Sequence, residues 1–387
     1  VPEVNKPYVL MLCKWYPYDK DPQFGVFIQK QAAAIACYHD IVVYSSHSHS
    51  SNSREKKYEL EFSEKNKVKE YRMYYRKSTG IFAIIQNTLS YLIAWKKARE
   101  VIWKNHGKPG ILHAYILLRP AVLAYICSKV YRTPYVVSEQ WSGYTNGNFE
   151  RQSFLRRWTG KFIFAQARER IAVSDFLRSS LERHGFKTPI RVIPNVIEVQ
   201  GKSFKKESDK IRILVVADLV DEIKNISGTI RAFASVLNKI ENLTLEIIGH
   251  GPDEIKLKEL ASVLRINPTA IHFSGLKSNA EVYEALHNSD FLVMNSRFET
   301  FSLICAEALS CGKPVIATRC GGPEEFINET NGILIPAADD ESLENAMEKM
   351  ARTFTNYDPH SLIQDSTRKF SAETVGKMLC EVYKAIQ

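Results

Sequence analysis

The densest group of chemically useful residues lies between Phe291 and Cys320, in FLVMNSRFETFSLICAEALSCGKPVIATRC, where Glu299 and Glu307 are separated by seven residues. Phe291–Asn295 predicts a strand, Ser302–Cys311 a short helix and Pro314–Ala317 the next strand. Gly312 suits the left-handed cap after that helix, and Pro314 prevents its continuation. The loop Ser296–Phe301 then falls at the carboxyl end of a parallel strand, where open α/β sheets bind ligands. Its end presents the backbone N–H groups of Thr300, Phe301, Ser302 and Leu303 at a helix start, an anion site suited to a diphosphate. A carboxylate beside an anion repels it, so Glu299 and Glu307 suit another task. A carboxylate can accept two hydrogen bonds at once from sugar hydroxyls. The alternative is an amphipathic helix with incidental acids.

The elements that must position these residues read as a βαβ series. In the first half, strands are expected at Tyr8–Cys13, Ile41–Ser45, Ile111–Tyr115, Tyr135–Ser138, Arg170–Val173 and Ile190–Ile193. In the second they are expected at Ile211–Ala217, Leu245–Ile248, Ile271–Ser274, Phe291–Asn295, Pro314–Ala317 and Gly332–Ile335. Most are continuous apolar runs, the pattern of strands buried on both faces of a parallel sheet. The fold class is therefore α/β. The chain has 387 residues, comfortable for two cores. The polar stretch Ile197–Lys210 predicts the interdomain linker, His47–Lys57 a flexible segment, and Ala372–Ile386 a terminal amphipathic helix.

Net charge is +9, unevenly spread: residues 1–200 hold 31 Lys/Arg against 16 Asp/Glu, and residues 201–387 hold 21 against 27. A basic surface can serve nucleic acid, anionic lipid or phosphorylated substrates. Basic and aromatic residues form no nucleic-acid module, so no nucleic-acid partner is expected. Seven cysteines without a CxxC pair, mostly inside apolar runs, read as buried thiols in a reducing compartment. No apolar run reaches the roughly 18 residues that span a bilayer. Val1-Pro2-Glu3 shows no leader pattern, so the expectation is a cytoplasmic protein, attached to the membrane's inner face at most from its surface.

The spacing E-(x)7-E, followed by E-A-L-x-x-G-K-P-V-I-A and by G-G-x-x-E, resembles the donor site of the retaining GT-B glycosyltransferases of family 4 (glycosyl transferases group 1). The resemblance covers nearly the whole chain. Ile248-Gly249-His250-Gly251-Pro252, Phe273-Ser274-Gly275-Leu276, Val173-Ser174 and Ile193-Pro194-Asn195 are similar to further segments of that family, in the family's order. It implies a GT-B fold: two Rossmann-like domains with parallel sheets facing a central cleft. The N-terminal, acceptor-binding domain would span 1–200, joined by the crossover helix near 372–387, and the nucleotide-sugar-binding domain 201–371. It further implies that Glu299 contacts the transferred sugar and Glu307 the ribose hydroxyls. Lys224 would grip the diphosphate and Gly251, Leu276 and Lys277 would border the donor. Gly25, in the first loop, would let backbone approach donor phosphate and acceptor. Lys224 as a solvated surface lysine and Gly25 as a plain turn are the alternatives.

Two positions depart from the family pattern. Asp218 falls where an arginine is expected beside the diphosphate, which leaves the grip to Lys224 and the helix N-terminus. Gln140 falls where many relatives carry a histidine near the reacting sugar. It can hydrogen-bond a hydroxyl but cannot titrate. Glu139 beside it is a second candidate on the acceptor side, with His113 and Asn195. A strand-end carboxylate is more often a hydrogen-bond partner, and a structural histidine is the other reading of His113. Asp19-Lys20-Asp21 matches a metal-binding DxD of a different glycosyltransferase fold, but a third ligand is missing nearby, so no metal and no cofactor are expected.

Lys65, Lys67, Lys69, Arg72, Arg76 and Lys77 precede the apolar stretch Ile81–Trp95. Two readings stand: a membrane-surface helix beside positive charge, or a core helix with solvated neighbours. The expected activity is transfer of a hexose or N-acetylhexosamine from a UDP- or GDP-sugar to a glycan or lipid-linked acceptor, as in cell-surface polysaccharide synthesis. The alternatives are a non-catalytic GT-B subunit that binds sugar nucleotide, and a sugar-nucleotide epimerase.

Overall fold

The computed structural model describes residues 7–50, 54, 56–199 and 209–386. Val1-Pro2-Glu3 and residues 200–208 of the expected linker lie outside the described residues. The chain divides into two compact units. One comprises Val1–Val173, Arg178–Val196 and Ala372–Gln387, the other Ser174–Leu177 and Ile197–Ser371.

The first unit carries strands β1 (Val9–Cys13), β2 (Ile41–His49), β3 (Tyr58–Lys65), β4 (Val68–Arg76), β5 (Ile111–Tyr115), β6 (Tyr135–Glu139), β7 (Glu169–Ala172) and β8 (Arg191–Val192). Its helices are α1 (Val26–Ile35), α2 (Ala83–His106), α3 (Arg119–Tyr131), α4 (Phe154–Gln166), most of α5 (Asp175–Arg183) and the terminal α13 (Ala372–Lys384). The strand order is β3-β4-β2-β1-β5-β6-β7-β8. All pairs are parallel except β3 with β4. Every residue of β1, β5 and β6 is buried; β1 is an unbroken apolar run, and β5 and β6 are interrupted only by His113, Ser138 and Glu139. Helix α13 lays Val375, Leu379, Val382 and Tyr383 into the same core as Ile28, Ala32 and Ile35 of α1.

The hairpin β3–β4 was not anticipated. Its outer strand β3 alternates charged and apolar residues at the edge of the sheet, the pattern of a half-buried strand and not of the sheet centre. Asn66 and Lys67, both at positive φ, make its two-residue turn. The basic residues read as a prelude to a helix belong here: Lys69, Arg72 and Arg76 are part of β4. Likewise His47–His49, expected to be flexible, extend β2 and pair with Tyr74–Arg76.

The second unit carries β9 (Ile211–Val216), β10 (Leu243–Ile248), β11 (Ile271–Gly275), β12 (Phe291–Met294), β13 (Val315–Arg319) and β14 (Gly332–Pro336). Its helices are α6 (Asp221–Lys224), α7 (Ile226–Leu237), α8 (Glu254–Val263), α9 (Asn279–Asn288), α10 (Leu303–Ser310), α11 (Asp340–Thr353) and α12 (Pro359–Phe370). The order β11-β10-β9-β12-β13-β14 is that of a doubly wound dinucleotide-binding sheet, entirely parallel. Strand order reverses between β9 and β12 in this sheet and between β1 and β5 in the first, so each unit has a crevice at the carboxyl ends of those strands.

Candidate functional site

The crevice between β9 and β12 is where the second unit gathers its charged residues. The loop after β9 runs into the short helix α6, which ends at Lys224. The loop after β12 carries Ser296, Arg297 and Glu299. Three bonds lock the two together: Arg297 N–H donates to the Ile223 carbonyl (2.8 Å), Asn295 Nδ2 to the Asn225 carbonyl (3.1 Å), and Arg297 guanidinium to Asn225 Oδ1 (3.2 Å). Lys224 and Glu299, 75 positions apart, therefore meet: Nζ donates to Glu299 Oε1 at 2.5 Å. Ser296 Oγ donates to the same oxygen at 3.1 Å. Burial presses the Lys224 pKa down, but the Glu299 carboxylate and, more weakly, Asp218 press harder the other way, and the net shift is upward. Lys224 is thus a cation at neutral pH. Asp218 is exposed and acts on Lys224 from the same loop.

The backbone of Glu299 is fastened to the turn after β13. Its N–H donates to the Cys320 carbonyl (3.2 Å), and Gly322 N–H donates to its carbonyl (2.9 Å). From there the chain enters α10 through Ser302, held at φ 69° and ψ 81°. A left-handed conformation is unusual for a residue with a side chain and turns the peptide sharply. At that turn the amides of Phe301, Ser302 and Leu303 have no protein acceptor among the described residues. The side chain of Phe301 is buried against Phe326 and Phe370, so this residue offers the site its amide alone. Glu307, one helical turn further on, is buried and accepts a hydrogen bond from the Tyr283 hydroxyl (3.2 Å).

Gly251, expected to border the donor, packs against the loop after β9. A side chain there would begin 2.5 Å from the Leu219 carbonyl oxygen, so only glycine lets the two loops interlock. Leu276 is 66% exposed just past β11. Lys277 donates to Glu246 Oε1 (3.0 Å), which also receives Ser274 Oγ (2.6 Å).

In the first unit, Gly25 caps α1 at φ 71°, and a Cβ there would lie 2.5 Å from the Trp15 carbonyl carbon. The acceptor-side candidates are more enclosed than expected. Glu139 is fully buried and accepts from the amides of Leu117, Gln140 and Trp141 (each 2.9 Å) and from Tyr144 Oη (3.2 Å). Burial raises its pKa against those bonds, and its geometry is that of a peg holding three loop amides. Gln140 is 8% exposed. His113 is wholly buried, Nδ1 against Tyr383 Oη (2.6 Å) and Nε2 against Ser138 Oγ (2.8 Å), and burial pushes its pKa down to about 3. With both ring nitrogens taken, it ties α13 to the sheet. Asn195 is buried and accepts from Gln31 Nε2 (3.2 Å). Asp19 is bound by Arg54 (2.9 Å), and no group of three metal-ligating side chains occurs among the described residues.

Sequence reading treated Glu299 and Lys224 separately. Their contact, the Ser296 hydroxyl and the Tyr283 hydroxyl on Glu307 are what it missed, and Ser296 alone had a signal, its place in the strand-end loop.

Two doubly wound α/β units, one with an amide nest, an ammonium and two carboxylates at its crevice, define a GT-B protein. Residues 196–354 match the family model described as glycosyl transferases group 1, and residues 38–200 that of glycosyltransferase family 4. The chain belongs to these GT-B glycosyltransferases of family 4. Among curated proteins it is 26% identical over 187 residues to the lipopolysaccharide core biosynthesis glycosyltransferase LpsD of Rhizobium meliloti (strain 1021), covering 46% of this chain. It spans about half (52%) of that relative's length. Among solved structures, sucrose-phosphate synthase from Thermosynechococcus elongatus superposes with a TM-score of 0.75 at 16% identity, covering 98% of this chain and 99% of that one. Anabaena HepE in complex with UDP-glucose gives 0.73 at 16% identity, with 98% and 99% covered.

Proposed function

We propose that the chain is a retaining glycosyltransferase that moves a hexose or N-acetylhexosamine from a UDP- or GDP-sugar to a glycan or lipid-linked acceptor in cell-surface polysaccharide synthesis. The single observation that carries this reading is the crevice between β9 and β12, where an ammonium, a carboxylate and the amides opening α10 converge. The amides of Phe301, Ser302 and Leu303, with Thr300 beside them, receive the diphosphate, and Lys224 neutralises it. Glu299 holds Lys224 in place and accepts hydrogen bonds from the transferred sugar. Glu307 accepts from the ribose, Gly251 lets the donor loops close up, and Leu276 and Lys277 border the base. In transfer, the bond from the anomeric carbon to the phosphate oxygen breaks with its electron pair going to the diphosphate. The acceptor oxygen forms the new bond on the same face, and its proton passes to the departing phosphate. No protein base is then required, which suits Gln140, a residue that binds a hydroxyl without titrating. Gly25 lets the backbone of the first loop approach the acceptor. Glu139 pegs three loop amides, His113 ties α13 to the sheet and Asn195 accepts from α1, so on the acceptor side these three hold the frame of the first unit. The reaction draws on no metal or cofactor.

HepE, of the same fold, holds UDP-glucose in its crystal, and LpsD is named for lipopolysaccharide core synthesis; both agree with this reading. Asp218 near the diphosphate site favours one competitor, a subunit that binds sugar nucleotide without transferring it. A panel of nucleotide sugars screened by thermal shift finds the donor. Turnover on a matching acceptor, with the anomeric configuration of product followed by NMR, is then decisive. Retention of configuration, lost with turnover in Glu299→Ala, is the expected result. Binding with no turnover on any acceptor would favour the competitor, and a changed sugar still attached to nucleotide would mark an epimerase.

A further inference from the structure

The first unit has its own crevice, between β1 and β5, and the residues there are cationic. A cavity of about 230 Å³ is lined by Lys14 at the end of β1, His47 of β2, Tyr75 of β4, Tyr91 of α2 and Arg119 at the start of α3. Arg119 is held in place: its guanidinium donates to Tyr75 Oη (3.0 Å) and lies 5.3 Å from the Tyr91 ring centroid. Among the described residues, Lys14, Arg119 and Arg156 have no acidic partner within ion-pairing distance. Lys14 is close enough to both arginines that, after burial, their charge lowers its pKa. The carboxylate that acts on it is Glu139, whose oxygens accept from three amides and a hydroxyl. Three cations against one buried carboxylate leave an excess of positive charge, which makes a site for an anion.

A second cavity, about 750 Å³ and mostly apolar, lies beside this one, with Arg156 in its wall. Tyr91 and Arg119 line both. Its walls come from α2, α3 and α4 through Leu92, Val122, Ile126 and Leu155. The apolar surface continues past the groove: Ile81, Ile84, Ile85 and Leu89 on one side and Phe154, Leu155 and Trp158 on the other are all more than half exposed. A contiguous apolar surface of this kind marks an interaction site. An anion site alone would suit any phosphate, and an apolar groove alone any hydrophobe. Their junction at Arg119 fits a molecule with a phosphate at one end and a hydrocarbon chain at the other.

We propose that the two cavities together bind the acceptor itself, a membrane lipid whose phosphate lies among Lys14, Arg119 and Arg156 and whose chain follows the groove between α2, α3 and α4. This inference rests on the glycosyl-transfer reading, and it makes the acceptor lipid-linked and phosphorylated. The test is vesicle flotation. The full chain is mixed with vesicles of phosphatidylcholine alone, phosphatidylcholine with a polyprenyl phosphate, or phosphatidylcholine with phosphatidylglycerol at matched surface charge. The wild type is expected to float preferentially with polyprenyl phosphate. Arg119→Glu/Arg156→Glu and, separately, Leu155→Asp are expected to lose roughly tenfold of that binding. Equal flotation with phosphatidylglycerol, or variants that bind polyprenyl phosphate as the wild type does, would overturn the proposal. Thermal shift by UDP and GDP on the same variants separates the two readings. A retained nucleotide shift with lost flotation supports the lipid site on a sound donor domain. A wild type that floats with polyprenyl phosphate but shows no shift with any nucleotide would overturn the acceptor role.

Discussion

Lys224 and Glu299 form one unit of charge, and neither is expected to work without the other. Glu299→Gln keeps the size and one hydrogen-bond acceptor but removes the charge that holds the ammonium. Turnover is expected to fall about a hundredfold or more, the scale on which a lost electrostatic contact at a reacting group is felt. Initial rates of nucleoside diphosphate release measure this, and a rate within a factor of a few of wild type would contradict the role assigned to the pair. His113 supplies a pH dependence of stability. Its folded pKa, about 3, lies below the ordinary 6.5, so the unfolded chain takes up the proton first. The stability it contributes is complete above about pH 6.5 and is lost as pH falls toward 3, by up to ~1.4 kcal/mol per pH unit. Urea midpoints of His113→Gln between pH 7 and pH 4 are expected to fall less steeply than those of the wild type; parallel profiles would contradict it. At this scale the sequence could announce Glu299 and Glu307, because their spacing and the strand-loop-helix around them are local. It could not announce that Lys224 touches Glu299 or that Glu139 is saturated by three amides, because those contacts depend on how distant loops interlock.

Among the elements, the entry into α10 is the strained one. Ser302 stays left-handed at a position where most side chains are disfavoured, and the strain turns the amides of the nest outward. Ser302→Gly is expected to leave stability within about 1 kcal/mol of wild type. Ser302→Val, β-branched at positive φ, is expected to cost roughly 1–3 kcal/mol and weaken nucleotide binding. Chemical denaturation checks both, and equal stabilities would contradict the strain. Helix α13 is held by its apolar face and by Tyr383, whose hydroxyl meets His113 in the core. Tyr383→Ala is expected to lower the stability of the first unit by about 3–5 kcal/mol, since it opens a cavity and leaves a buried imidazole nitrogen without its partner. The elements most legible in the sequence were those buried on both faces. Val9–Cys13 could be read from its apolar run because nothing polar interrupts it. The hairpin Tyr58–Arg76 escaped because Glu59, Glu61, Lys69 and Arg72 are scattered through it and imitate a solvated charge run. Only its pairing with β2 reveals it as sheet edge.

At the scale of the whole molecule, two cores of separate composition carry opposite net charge, and the basic one also bears the exposed apolar groove. The charge split was readable from composition, and α13 belongs to the first unit. The groove was not readable, because its residues come from three helices far apart in sequence, and of these only Ile81–Trp95 carried a membrane-surface reading. The central claim concerns the second unit: the crevice between β9 and β12 binds a nucleoside diphosphate through the α10 amides, Lys224 and Glu307. Titration calorimetry of UDP and GDP into the wild type, Lys224→Ala and Glu307→Ala tests it most directly. The account predicts that the wild type binds one of the two nucleotides and that each variant binds it about tenfold or more weakly, a loss of ~1.4 kcal/mol or greater. Unchanged affinity in both variants would contradict it.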